Sequence, residues 1–190
     1  MNSFSHFCSN TRMAKLDNPE GPYSALILAK AGLVRLEMGH RITTDISAPT
    51  LYHAVGQGAL GVEIRAGDGE VQKLCAALNH SPTEWCCRAE RAMLKVLEGG
   101  CSVPVGAHTQ IVEGKVLRIT GTVTALDGSR HVEHTLEEAV SSAREAEAVG
   151  EKLAKILIET GAREILDEIA RDKERRKAAE ADKAQAQATT

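Results

Sequence analysis

The chain has 190 residues, with 23 basic and 26 acidic side chains and a net charge of −3. That length holds one ordinary domain or two small ones, and the near-balanced charge excludes a strongly basic nucleic-acid footprint. Only 3% of residues are aromatic, with none after Trp85, which excludes stacking platforms for single strands, and no apolar run reaches the roughly 18 residues that a membrane-spanning helix needs.

Residues 1–9 show no periodicity and read as an unmatched, unstructured start. Residues 16–22, Leu-Asp-Asn-Pro-Glu-Gly-Pro, are dense in turn formers. Residues 23–29 form a short apolar run that suits a strand buried on both faces. A short helix through Leu33 and Leu36 follows, and residues 37–50 show no clear pattern. Ala54-Val55-Gly56-Gln57-Gly58-Ala59-Leu60-Gly61 is glycine-rich. It reads either as a hinge or anion-cradling loop, or as a plain turn before a strand at 62–65. The spacing of a dinucleotide fingerprint is absent. Asp68 is placed to cap a helix whose apolar face is Val71, Leu74, Cys75 and Leu78.

Ser81-Pro82-Thr83-Glu84 has the form of a capping box with proline at the first helical position. The helix it opens is expected to run to Glu98 on a stripe of Trp85, Ala89, Ala92, Met93, Val96 and Leu97. Gly99-Gly100 stops it, with Gly99 suited to a left-handed cap. Glu113-Gly114 and Asp127-Gly128 are hairpin signals. Between them Leu117, Ile119, Gly121, Val123 and Ala125 alternate with Arg118, Thr120, Thr122 and Thr124. With flanking strands at 103–112 and 130–136, this predicts an antiparallel three-stranded meander with one buried face. A helix near 138–159 can cover that face through Val140, Val149, Leu153, Ile156 and Leu157. Gly161 breaks it, and Ile165, Leu166 and Ile169 begin a last helical piece. From Arg171 the apolar stripe is lost, and residues 173–190 read as a charged, disordered tail.

The fold class is therefore α+β: a three-stranded antiparallel sheet with helices, preceded by an incomplete α/β portion. The expected division is 1–9, 10–80, 81–172 and 173–190.

Five cysteines stand at positions 8, 75, 86, 87 and 101. With no C-x-x-C and no recognisable signal peptide, free thiols in a reducing, cytoplasmic setting are expected, and no metal site. Cys75 and Cys86 lie on apolar helix faces and read as small hydrophobes. Cys101 follows the glycine helix stop and precedes a strand. It reads either as an accessible thiol able to form a thioether or as an inert buried cysteine. A helix C-terminus does not lower its pKa. Arg12, with Lys15 nearby, is either a carboxylate-binding group or a solvated surface pair. His53 and His80 have no evident partner.

The string Leu97-Glu98-Gly99-Gly100-Cys101-Ser102-Val103-Pro104-Val105 resembles the cofactor-attachment loop of the porphobilinogen deaminase (hydroxymethylbilane synthase) family. Asn10-Thr11-Arg12 with Lys15-Leu16-Asp17 agrees, as do residues 54–61, Ala89-Glu90-Arg91-Ala92, and Gly161-Ala162-Arg163-Glu164-Ile165-Leu166. The resemblance covers residues 10–170 in the family's order. It implies a transferase of heme and porphyrin biosynthesis that condenses four porphobilinogen molecules into hydroxymethylbilane with release of ammonia. It also implies a covalent dipyrromethane cofactor held by a thioether at Cys101, with Arg12 among the cleft arginines that take the pyrrole carboxylates. Gln57 and Gly58 match the segment near the interdomain crossing, and the family is typically monomeric.

By the same resemblance, residues 10–80 are remnants of two domains like those of periplasmic binding proteins, and 81–172 are a complete third domain bearing the cysteine. The family's catalytic aspartate has no match, since Asp17, Asp45 and Asp68 stand in other contexts. The resemblance thus also admits a truncated, non-catalytic fragment or interaction module, from which unaided turnover is not expected. A thiol sensor using Cys101 is a third reading. An isolated fragment is expected to keep an unmodified thiol and, with apolar surface at 23–36 lacking partner strands, to aggregate.

Overall fold

A computed structural model describes residues 9–97 and 103–188, with side chains at 10–97 and 103–179. The chain divides into two compact units, one ending at Ser47 and the other beginning at Ala48.

The first unit holds helix α1 (Ser9–Asp17), helix α2 (Lys30–Arg35) and a 3-10 turn (Gly39–Arg41). Among its described residues the buried apolar side chains are Met13 and Leu33. A core this small needs polar ties. Arg41 donates to both carboxylate oxygens of Asp17 at 2.5 and 3.3 Å, and Lys30 pairs with Asp45. The guanidinium holds the Asp17 carboxyl below its usual range. Residues 23–29 do not form the expected strand, and Ile27 is 69% exposed. A strand is a hydrogen-bonded state, and none of the described residues pairs with this run, so its backbone is left to water.

In the second unit, strands β1 (Val105–Val112), β2 (Val116–Thr124) and β3 (His131–Ala139) form an antiparallel sheet in the order β1-β2-β3. The register pairs Ile119 with Thr109 on one side and with Leu136 on the other. The first turn places Glu113 at φ +48° and Gly114 at φ +79°, left-handed conformations that match the twist of the flanking strands. In the second connection the Asp127 carboxylate accepts from the Ser129 N–H at 3.0 Å and the Ser129 hydroxyl at 2.7 Å.

The sheet alternates as expected, with Leu117, Ile119 and Val123 fully buried. Its other face is not simply open. His53 adds a bridge to Ala107 at the outer edge of β1. Tyr52 lies so close to the sheet that a Cβ on Gly106 would sit 2.6 Å from the Tyr52 Cβ. Partial burial, then a hydrogen bond to Glu133, pushes the Tyr52 hydroxyl pKa up. Thr120 and Thr122 are buried, and the Thr120 hydroxyl bonds that of its cross-strand partner Thr135 at 2.8 Å.

Two helices cover the apolar face. Helix α4 (Ser81–Val96) buries Ala89 and Met93, with Leu97 just beyond its end, and helix α5 (Ala143–Leu157) buries Val149, Leu153 and Leu157. The helix near 138–159 therefore starts later than expected. Residues 138 and 139 finish β3, because they pair with Leu117 and Val116. Ser142 caps α5 by accepting from the Glu145 N–H at 3.3 Å. The Glu145 carboxylate reaches back to the Ser141 N–H at 2.6 Å, which draws its pKa below the ordinary value. The capping box expected at Ser81 and Glu84 does not form. The helix begins after His80, whose carbonyl accepts the Glu84 N–H at 3.0 Å, while the Glu84 side chain is taken by Asn79 at 2.8 Å.

Gly161, at φ +116°, ends a π turn (Ile158–Ala162) and redirects the chain into helix α6 (Arg163–Ala188). Ile165, Leu166 and Ile169 join the core. The tail at 173–190, expected to be disordered, is helical as far as Ala188. Alanine, glutamate, lysine, arginine and glutamine are the strong helix formers, so an apolar stripe is not required to write this backbone as helix. An Arg176–Asp172 pair at 2.7 Å, one turn apart, adds a little support.

The segment between the glycine-rich loop and α4 is the least packed part of the second unit. Helix α3 (Gly69–Ala76) is capped by Asp68 as expected, its carboxylate accepting from the Val71 N–H at 3.1 Å. Yet α3 buries no residue. Residues 62–65, expected as a strand, form none, and Leu60 is 91% exposed. As at 23–29, no described residue pairs with this run.

Candidate functional site

Within the second unit, the glycine loop, the first half of α4 and strand β1 enclose a cleft of about 510 Å³. Gly56 and Gly58 have φ of +73° and +86°, and no heavy atom lies within 4 Å of where a Cβ would stand on either. Glycine is thus required here by backbone conformation rather than by crowding. The loop closes on itself through the Gln57 N–H to the Ala54 carbonyl at 3.0 Å and the Ala59 N–H to the Gly56 carbonyl at 3.2 Å. One long-range bond fastens it, from the Gly56 N–H to Glu90 Oε2 at 2.7 Å.

The helical wall carries Cys86, Cys87 and Glu90, and β1 contributes Thr109 and Ile111. The Thr109 hydroxyl is buried without a hydrogen-bond partner among the described residues. Burial, then the Glu90 charge, pushes the Cys86 thiol up to about 11, and the same two causes raise Cys87. Cys86 packs against the core, in keeping with its reading as a small hydrophobe. Cys75, on the exposed helix α3, is half-buried. At pH 8 a thiol near 11 is about 0.1% thiolate against about 10% for one near 9, and the thiolate is the nucleophile. Cys86 should therefore alkylate with iodoacetamide about 100-fold more slowly than a small peptide thiol. Peptide mass mapping over a time course checks this, and labelling as fast as the free peptide would contradict it.

A second concavity, of about 300 Å³, belongs to the first unit. Arg12 and Lys15 from α1 line it with Tyr23, Leu26, Ile27 and Leu28. The two cations are three residues apart and share one helix face. This donor set suits a carboxylate-bearing ligand with an apolar body.

The structure thus brings Gln57 and Gly58 to one cleft and places Arg12 in a basic pocket of the other unit. Cys101 lies outside the described residues, as do Gly99 and Gly100. Of the two histidines without an evident partner, His80 gains one, its Nδ1 lying 2.8 Å from the Thr83 hydroxyl, while His53 exchanges only backbone bonds with Ala107. Glu90 was not legible as a site residue, because its partner is 34 positions away and no local pattern marks such a bond. Among the described residues, no three His, Cys, Asp or Glu side chains converge as a metal site. No helix there is long and apolar enough to cross a membrane.

Two family models match the chain. Residues 8–73 match "Porphobilinogen deaminase, dipyromethane cofactor binding domain" and residues 85–159 match "Porphobilinogen deaminase, C-terminal domain". The first match contains Arg12, Gln57 and Gly58, and the second contains Cys101. Curated relatives named porphobilinogen deaminase agree over nearly the same span. That of Synechococcus elongatus is 52% identical over 160 residues, covering 84% of this chain and 48% of the relative. That of Yarrowia lipolytica is 48% identical over 159 residues, covering 84% and 47%. That of Saccharomyces cerevisiae is 43% identical over 165 residues, covering 86% and 50%. The chain spans about half the length of the curated relatives it matches.

Proposed function

The chain belongs to the porphobilinogen deaminase family, and from that premise we propose that it supplies the primer-bearing half of a hydroxymethylbilane synthase. Its substrate is porphobilinogen, its product the linear tetrapyrrole of heme and porphyrin biosynthesis, and its place of work the cytoplasm, as a monomer. Cys101 anchors a dipyrromethane group through a thioether. Arg12 takes a pyrrole carboxylate, and Gln57 and Gly58 border the path of the pyrrole chain. The single observation that carries this reading is the paired match, with one family model over each part of the chain in the family's order.

The residues present fit such a group unequally. The pocket of the first unit, with Arg12 and Lys15 on one face and an apolar floor, suits a pyrrole ring bearing acetate and propionate. Bidentate, charge-assisted bonds are what a guanidinium makes to a carboxylate. The cleft of the second unit offers open backbone at Gly56 and Gly58, but its charged lining group is Glu90, which repels carboxylates. The acidic substituents are therefore assigned to the Arg12 pocket. When bound, the dipyrromethane supplies a nucleophilic pyrrole carbon on which the product chain is built.

The finer architecture belongs to the same proposal. Residues 10–80 are a partial α/β portion of the periplasmic-binding-protein kind, in which the runs at 23–29 and 62–65 become strands once neighbouring strands pair with them. Residues 81–172 are the cofactor-bearing α+β domain. The exposure of Ile27, Leu60 and Val62 supports this, because apolar residues at this density are seldom left in water without a partner.

The attachment chemistry gives a direct test. In a capture from hydroxymethylbilane, the Cys101 thiol loses its proton, a carbon–sulfur bond forms to the hydroxymethyl carbon, and the hydroxyl leaves as water. The purified chain is incubated with hydroxymethylbilane and its intact mass recorded, followed by peptide mapping. The expected result is a pyrrole adduct on Cys101 that is absent in Cys101→Ser. An adduct that persists in Cys101→Ser, or no adduct on the parent chain, overturns the assignment.

A further inference from the structure

The sequence segment Ala89-Glu90-Arg91-Ala92 is a family-like stretch to which the proposed function gives no task. The structure divides it. Ala89 is fully buried where α4 meets α5, with its backbone against Gly150. Glu90 points the other way, into the cleft, and accepts the Gly56 N–H at 2.7 Å. Among the described residues no cation lies within ion-pair distance of this carboxylate, so a backbone amide is its principal partner there. A carboxylate accepting from an amide makes a charge-assisted bond, stronger than a neutral one.

We infer that Glu90 is a positioning residue: its carboxylate clamps the glycine loop at Gly56 and thereby sets where Gln57 and Gly58 stand along the cleft. The loop needs such a clamp. Its entry is fixed by the backbone pair between His53 and Ala107 and by Val55 against the core, but beyond Val55 its own bonds, from Gln57 to Ala54 and from Ala59 to Gly56, are local. No heavy atom lies within 4 Å of the Cβ position of either glycine, so the Glu90 bond is the long-range hydrogen bond made at Gly56 itself. Glu90 stands seven residues before Leu97, the last described residue after this helix, or about 10 Å along the axis. The inference rests on the proposed function only for the role of Gln57 and Gly58; the clamp does not depend on it.

Amide exchange on the ¹⁵N-labelled chain tests the clamp, comparing the parent with Glu90→Ala, Glu90→Gln and Glu90→Asp. In Glu90→Ala the Gly56 amide should exchange roughly 10- to 100-fold faster, the factor a lost charge-assisted bond is worth, while the amides of α4 keep their parent rates. Glu90→Gln retains an acceptor oxygen at the same reach and should stay within a few-fold of the parent. Glu90→Asp keeps the charge but is one methylene short, and should behave like alanine. This pair decides the matter even if Glu90→Ala fails to fold. Parent-like exchange at Gly56 in both Glu90→Ala and Glu90→Asp, or equal acceleration of the α4 amides, overturns the clamp.

The hydroxymethylbilane adduct on Cys101, timed in the same variants, tests what the clamp is for. Slowing of about tenfold in Glu90→Ala and rescue in Glu90→Gln support a positioning role, and an unchanged rate overturns it. If the parent chain takes no adduct while Gly56 stays protected, the proposed function fails and the clamp survives. If the adduct forms normally while Gly56 is unprotected in the parent, the clamp fails and the function survives.

Discussion

Gly150→Ala should destabilise the second unit by about 3 kcal/mol, read as a drop in the urea midpoint, although alanine is the better helix former. Gly150 lies inside α5, where replacing an exposed glycine by alanine gains about 1 kcal/mol. Here the sign reverses. A Cβ at this position would stand 2.7 Å from the carbonyl carbon of Ala89, 3.0 Å from its Cα, and against its carbonyl oxygen. These are backbone atoms of α4 and cannot rotate away, so the two helices must part, and overpacking of this kind costs roughly 1–3 kcal/mol and sometimes more. Two comparisons sharpen the result. Gly121→Ala meets first the sulfur of Met93, a flexible side chain, and should cost less. Ala89→Gly should not rescue Gly150→Ala, because the obstruction is main chain rather than the Ala89 methyl. A Gly150→Ala chain as stable as the parent, or rescued by Ala89→Gly, would show that the helices do not cross this closely.

Leu153→Ala carries the second large effect, a loss of about 3 kcal/mol in the same measurement, within the range of about 2–5 kcal/mol for large-to-small changes in a core. Leu153 is fully buried in the cluster that joins α4, α5 and the sheet. Its Cδ2 would lie 3.2 Å from a Cβ on Gly121, so the side chain fills the space the glycine leaves over β2. Removing it opens a cavity between a helix and a strand that the surrounding hydrogen bonds hold apart. The contrast is Leu74→Ala in α3. Leu74 also sits on an apolar helical stripe, but it is 74% exposed, and its truncation should fall within about 0.5 kcal/mol of neutral. Equal losses at the two positions would mean that α3 is packed against something in solution.

That pair of leucines shows how far the pattern in the chain carries. Both stripes, at 71–78 and at 149–157, have helical spacing, and helices form there, the first as far as Ala76. Periodicity reports which side chains share a face; it does not report whether anything lies opposite. Likewise, the runs at 62–65 and 117–123 have comparable β character. The second became a strand because turns at 113–114 and 127–128 bring partners beside it. Residues 62–65 have no such neighbour in sequence. The two Ser-x-x-Glu segments make the same point at the scale of one hydrogen bond. Ser142 and Glu145 form a working cap, while Ser81 and Glu84 do not, because the chain enters α4 one residue earlier and Asn79 takes the glutamate.

Of the candidate site, the family motifs were legible because the chemistry they imply rests on contiguous residues: the cysteine loop, the glycine loop and the Asn-Thr-Arg segment. The coupling between them was not. Glu90 reaches Gly56 across 34 positions, and only packing α4 over β1 and beside the loop creates that approach.

The amino-acid sequence by itself determined the three-stranded meander, the helices that cover it and the family, because turn residues, alternation and contiguous motifs act over a few positions. Tertiary structure alone decided which apolar stripes are buried, which extended runs are paired and which carboxylate holds the glycine loop. Each of these depends on a partner distant in the chain, and burial and hydrogen bonding are properties of the pair rather than of either member.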